Sequence, residues 1–306
     1  MKLIKNINVY APEHLGNKDV LVIGDKIAKI EEAGCMPEIP YLTAEDIIDG
    51  SGKILTPGFI DCHVHILGGG GEGGFANRTP EATVEGLTKF GVTTVVGCLG
   101  TDGIGRDMCA LVAKTKGLCE QGMSAYCYTG SYQIPVHTLT DSITKDIMMI
   151  QEIIGTGEIA ISDHRSSNIN AEELARLATQ ARLAGLESGK VGEVHMHMGN
   201  GKKGLSDVFA ILEETEIPIK HFRPTHIQKA LEDGIKFANM GGYIDFTSAS
   251  PASAAAAIAK ALPRVPFDRV TLSSDSNGSM PKWNEKNELI GIEVAKMTTL
   301  FECIKI

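Results

Sequence analysis

The 306-residue chain contains no CxxC pair, a single tryptophan and only 5% aromatic side chains. No apolar run reaches the roughly 18 residues needed to cross a bilayer. The opening MKLIKNINVYAPEHLG lacks the apolar stretch of a secretory signal, so no membrane partner is expected. Positive charge is also short: 29 Lys plus Arg against 38 Asp plus Glu leave a net charge of −9, which argues against nucleic acid held through its phosphates. The seven cysteines (Cys35, Cys62, Cys98, Cys109, Cys119, Cys127, Cys303) are odd in number and read as thiols of a reducing cytoplasm rather than a disulfide framework. With 43% apolar and 22% charged side chains, the composition is that of a globular chain with a sizeable core.

Residues 1–56 read as a small, incomplete β domain, with Gly24-Asp25 turning between two runs that carry Val20, Val22, Ile27 and Ile30. Residues 57–306 follow another rhythm. Eight short β-branched runs, at 59–65, 93–100, 124–132, 158–164, 191–198, 222–227, 243–248 and 269–275, alternate with stretches of helical period. In one of these, TPEATVEGLTKFG, Thr79 is the expected cap, with Pro80 and Glu81 in the first turn. Eight strand–helix units predict an α/β fold of the (β/α)8 TIM-barrel type, with functional side chains at the carboxyl ends of strands. An open doubly wound sheet is the alternative, but no GxGxxG turn follows the first run, and polar residues end nearly all eight. GGGG at 68–71 lacks the Lys-Ser or Lys-Thr of a phosphate cradle and is expected to be a mobile mouth loop.

His63 and His65 stand two apart on a strand, so both point to one face, the interior if Cys62 faces out. Alone, the pair fits buried, hydrogen-bonded histidines as well as it fits metal ligands. His197, His226 and Asp275 at the ends of later runs, with Glu158 opening the fourth, shift the reading to a divalent metal site, since neutral imidazole and carboxylate are the donors such ions accept. His195 and Asp61 read as partners that orient ligands. His14, His137 and His221 read as surface or loop residues.

The run IDGSGKILTPGFIDCHVH (48–65) resembles the opening of the amidohydrolase superfamily. GGGGE (68–72), LGTDG (99–103), TGSYQIP (129–135), SDHRS (162–166), HMGNGKK (197–203), PTH (224–226) and LSSDSNGS (272–279), in order along the chain, resemble the isoaspartyl dipeptidases within it. The resemblance implies two zinc ions per chain, with His63, His65 and Asp275 on one and His197 and His226 on the other. It implies a hydroxide between them that attacks the peptide carbonyl. Asp275 would serve as general base and then acid, and Tyr132 would donate to the oxyanion. Glu72 would meet the substrate ammonium and Arg165 a carboxylate, with Thr101 and Ser279 as lesser polar contacts. The implied partner is a small dipeptide, and the family further implies a homo-oligomer.

Three departures from the family pattern stand out. Where the family has a carboxylated lysine bridging the metals, this chain has Glu158, and the nearest upstream lysine is Lys145. Glutamate supplies the same charge on a stem shorter by about 3–4 Å, which backbone placement must recover. Lys229 replaces an arginine and keeps charge without the bidentate fork. Only 31 residues follow Asp275, where the family continues into strands completing the small β domain. Exposed sheet edges and a thermal midpoint below that of an extended chain are therefore expected. The competing readings are a dihydroorotase-like or N-acyl-amino-acid deacylase activity, and a non-catalytic relic.

Overall fold

The structure, a computed structural model, describes residues 1–286 and 289–306, which divide into two units, 1–59 and 60–306. In the first, β1 (Lys2–Tyr10), β2 (His14–Ile23) and β3 (Lys26–Glu32) form an antiparallel meander. Gly24, at φ +61°, makes the turn between β2 and β3, as a residue without Cβ can. The short strands β4 (Ile47–Asp49) and β5 (Ile54–Leu55) pair parallel to β1. Ile7, Val9 and Val20 are its buried core, backed by Ile4, Val22 and Leu55. The cross-strand pairs Val20–Ile30 and Val22–Ile27 follow the expected pattern, but Ile27 and Ile30 are exposed.

The second unit is α/β. Strands β6 (Phe59–Val64), β7 (Val92–Gly97), β8 (Ser124–Thr129), β9 (Ile153–Ile161), β10 (Glu193–Met198) and β11 (Phe222–Thr225) form one six-stranded sheet in chain order, parallel from β7 to β11. A parallel pair, β12 (Ile244–Thr247) and β13 (Val270–Ser273), continues the series. Beyond β13 the chain reaches back to β6: the Asp275 amide donates to the His63 carbonyl at 3.1 Å and the His65 amide to Ser276 at 3.0 Å. All six residues of β10 are buried, as expected for a parallel strand covered on both faces.

Helices fill the connections: α1 (Val84–Thr88), α2 (Met108–Glu120), α3 (Ile143–Met149), α4 (Ala171–Ser188), α5 (Ser206–Glu214), α6 (Leu231–Asn239) and α7 (Pro251–Ala261). A hairpin, β14 (Ser279–Trp283) and β15 (Leu289–Val294), and α8 (Thr299–Ile304) follow β13. The longest helix, α4, carries both end signals. Asn170 and Glu173 form a reciprocal capping box, and Gly189 ends it at φ +70°. No helix among the described residues is long and apolar enough to cross a membrane.

Two expected boundaries are corrected. The helix expected from Thr79 begins at Val84, capped by Thr83. Thr79 is instead buried, its hydroxyl accepting from the Gly69 amide at 2.6 Å and donating to the Asn277 carbonyl at 2.5 Å. Strand β9 begins at Ile153 rather than 158. Its glycines are needed for strand packing. A Cβ on Gly155 would stand 2.4 Å from the Glu193 carbonyl oxygen of β10, and one on Gly157 would stand 2.6 Å from that of His195.

Candidate active site

Strands running in parallel deliver their carboxyl ends to one edge, and six of the expected residues meet there. His65 Nε2 and Asp275 Oδ1 are 3.1 Å apart, and His63 Nε2 lies 3.4 Å from that oxygen. Glu158 spans the cluster: Oε1 is 2.7 Å from His197 Nδ1 and 3.4 Å from His226 Nε2, while Oε2 is 3.5 Å from His63 Nε2 and 4.0 Å from His65 Nε2. A bulge explains its reach. Val194 pairs with Thr156 and Met196 with Ile159, so Gly157 and Glu158 together oppose His195 and the glutamate is pushed forward. His226 and Asp275 adopt φ +59° and +57°, a left-handed conformation costly for residues with Cβ and recurrent where a site needs a side chain re-aimed.

Neighbours fix the imidazoles. His195 Nε2 lies 2.7 Å from His63 Nδ1, and the Thr247 hydroxyl 2.5 Å from His226 Nδ1, so each ring keeps Nε2 toward the cluster. Asp61 acts differently from expectation: its Oδ1 accepts the backbone amides of Ser274 (3.0 Å) and His63 (3.4 Å), tying backbone rather than orienting an imidazole. Cys62 does not face outward either, since its thiol donates to Asp245 Oδ1 on β12 at 3.5 Å; strict alternation fails at the end of β6. His221, expected at the surface, is buried against the Gly192 carbonyl at 2.9 Å. His14 and His137 are exposed.

Above the cluster is a cavity of 640 Å³ whose wall includes Glu72, Thr101, Tyr132, Arg165, Lys229 and Ser279, together with His65, His197, His226 and Asp275. The Tyr132 hydroxyl is 2.8 Å from His197 Nδ1. Arg165 Nη1 donates to Glu72 Oε1 at 3.2 Å, and Glu72 Oε2 accepts from Ser279 at 3.3 Å. Asp163, which sequence reasoning missed, grips the Arg165 fork through both oxygens at 3.0 Å and lies 3.2 Å from His197 Nε2. The only available signal for it was its place in SDHRS, two residues before the arginine. Cys98, beyond β7, was also missed: it was read as one thiol among seven, yet it groups with His63, His65 and Glu158.

The glycine loop is held, not slack. Its amides bond at Gly69 (to Asn277, 3.1 Å) and Gly71 (to Asn77, 2.7 Å). Arg106 donates to three backbone carbonyls around it, Leu67 (2.8 Å), Gly69 (2.9 Å) and Thr79 (2.8 Å).

Burial alone would raise the Glu158 carboxyl, but the His63 and His197 rings hold it well below the usual carboxylate range. Asp275 is shifted the same way, burial being outweighed by the neighbouring His63 and His65 rings. Burial and neighbouring His197 push His226 down to about 4. Burial, then the Glu158 charge, raises Tyr132 well above the ordinary phenol value, so it remains a donor. Lys229 is lowered by burial.

Divalent ions fit this donor set. Three groupings, His63–His65–Cys98–Glu158, His63–His226–Asp275 and Glu158–His197–His226, each bring ligand atoms within 4.8 Å of one another. Fully buried His63 Nε2 and Glu158 Oε2 have no hydrogen-bond partner, an arrangement costly unless a cation satisfies it.

No family model matches the chain. The beta-aspartyl dipeptidase of Fervidobacterium islandicum AW-1, solved with beta-Asp-Leu dipeptide, is 45% identical over 99% of this chain and 80% of that one, with a TM-score of 0.90. A second structure of that dipeptidase gives 44% identity and a TM-score of 0.89. A D-hydantoinase at 16% identity and TM-score 0.57, covering 99% of this chain and 74% of that one, shares the fold alone. Dihydroorotase from Staphylococcus aureus strain Mu50 is 38% identical over 95 residues, 31% of this chain and only 20% of the relative.

Proposed function

Because the chain belongs to the beta-aspartyl dipeptidases of the amidohydrolase superfamily, we propose that it hydrolyses dipeptides in which aspartate is joined through its β-carboxyl. The observation that carries this reading is the charge pattern of one cavity, whose wall brings together Glu72, Arg165 (bonded to Glu72 at 3.2 Å), Lys229 and the histidine–carboxylate cluster. A β-aspartyl dipeptide has one ammonium and two carboxylates, and this wall offers a counter-charge for each.

The reading includes a (β/α)8 barrel closed by the contacts between the post-β13 segment and β6. It also includes two zinc ions, one beside His63, His65 and Asp275, the other beside His197 and His226, with Glu158 between them. Ions bound there supply Lewis acidity to the peptide carbonyl and make water a competent nucleophile near neutral pH. Asp275 takes the proton of the attacking water and returns it to the departing amine. The Tyr132 hydroxyl, held protonated, donates to the oxygen that gains charge as the carbonyl is attacked. Glu72 receives the substrate ammonium, Arg165 and Lys229 its carboxylates, and Thr101 and Ser279 complete the polar contacts. A homo-oligomer in the cytoplasm is part of the same proposal, tested by sedimentation equilibrium of the purified chain.

A cyclic amide substrate, suggested by the dihydroorotase match, has no ammonium for Glu72. The deciding assay incubates zinc-loaded protein with β-Asp-Leu, α-Asp-Leu and dihydroorotate. Hydrolysis of β-Asp-Leu alone is expected. Turnover of dihydroorotate would transfer the assignment to the cyclic amidases, and turnover of none would leave the fold without this activity.

A further inference from the structure

We infer that the Cys98 thiol is a ligand in its own right, completing a four-donor site with His63, His65 and Glu158. The inference rests on the reading that the cluster holds divalent ions. Cys98 directly follows β7, the strand next to β6 in the sheet, and is fully buried. Its ligand atom falls within 4.8 Å of those of the other three, and it is the one cysteine in any such group among the described residues. Its present hydrogen bond is weak, Sγ donating to the Val64 carbonyl at 3.7 Å.

A second observation points to the same spot. His63 Nε2 and Glu158 Oε2, both fully buried, lack hydrogen-bond partners, and His63 cannot turn away because His195 holds its other nitrogen. Two imidazoles, one carboxylate and one sulfur make a complete tetrahedral set for zinc. The other ion keeps three protein donors, Glu158, His197 and His226, and hence an open position. With Cys98 as an added donor, an ion there would fix Glu158, and an ion at Glu158, His197 and His226 would face the cavity, with Asp275 beside both groups of donors. On binding, one sulfur–metal bond forms and the thiol proton passes to water. A site containing sulfur also favours zinc, cobalt and cadmium over manganese or magnesium, which the other donors tolerate better.

The test strips the full-length protein with chelator and reloads it with cobalt(II) alone. The expected spectrum shows a near-ultraviolet sulfur-to-cobalt charge-transfer band beside the visible ligand-field bands. Cys98→Ser should lose the charge-transfer band, while Cys62→Ser and Cys127→Ser should keep it. X-ray absorption of the wild-type zinc protein needs no variant and should show a sulfur shell at about 2.3 Å. Visible bands without a sulfur band or shell would overturn the role of Cys98 and leave the metal reading standing. Failure to bind cobalt at all would overturn both, and a band surviving in folded Cys98→Ser would assign the sulfur elsewhere.

Discussion

Arg106 hydrogen-bonds to no residue of the histidine–carboxylate cluster, yet its replacement should be felt at the substrate. Its guanidinium donates three hydrogen bonds of 2.8–2.9 Å to the carbonyls of Leu67, Gly69 and Thr79, clamping both ends of the segment that carries Glu72. Arg106→Met keeps the stem and removes all three donors. Gly69 retains the Thr79 amide at 3.0 Å, so the loss falls mainly on the carbonyls of Leu67 and Thr79, residues that are themselves buried. A buried carbonyl left unpaired costs about 1–3 kcal/mol. The half-exposed position of Arg106 lets water recover part of that, so the total is on the order of 3 kcal/mol. For a unit of this size that lowers Tm by roughly 6–12 °C. The same slackening lets Glu72 wander. KM for β-Asp-Leu should rise about tenfold, equivalent to about 1.4 kcal/mol of binding, with a smaller change in kcat. Arg106→Lys, which lacks the planar fork, should recover only part of Tm. Calorimetry and steady-state kinetics decide the matter: a Met variant with wild-type Tm and KM would show that the backbone bonds of the loop suffice without the clamp.

Replacing Glu158 with Gln removes the charge placed among four histidines and should lower bound zinc measured by mass spectrometry. Activity of the wild-type protein should be indifferent to removal of bicarbonate, whereas dependence on it would mean that a carbamate forms somewhere in the site. Tyr132→Phe is expected to reduce kcat by about 10²–10³ with zinc content unchanged, as for loss of one oxyanion donor, and an unaltered kcat would confine the hydroxyl to holding His197. In the N-terminal unit, Asp46 is held down to about 2 by the amide and hydroxyl of Thr43 and by Lys2. The stability it contributes is present above its ordinary 3.8 and is lost as pH falls through about 2, so the Tm gap between wild type and Asp46→Asn should close over that window. A carboxyl resonance titrating near 3.8 would contradict this.

The alternation of β-branched runs with helical stretches was enough to read eight strands in order, because parallel strands buried on both faces demand largely apolar runs whatever the neighbours. The donors at the strand ends were equally legible, since His63, His65, His197, His226 and Asp275 stand where parallel strands must deliver side chains. What depended on neighbouring strands stayed hidden. Strand β9 begins five residues early because its glycines lie against the backbone of β10, and the bulge opposite His195 is what brings the shorter Glu158 to the cluster. Thr79 looks like a helix cap, but the carbonyl of Asn277, far along the chain, claims its hydroxyl. Asp163 and Cys98 acquire meaning only from residues brought beside them by folding. Local sequence thus determined which elements form and which donors they carry. Tertiary packing decided strand register, the direction of each side chain and the company each donor keeps, because those follow from contacts between strands distant in sequence.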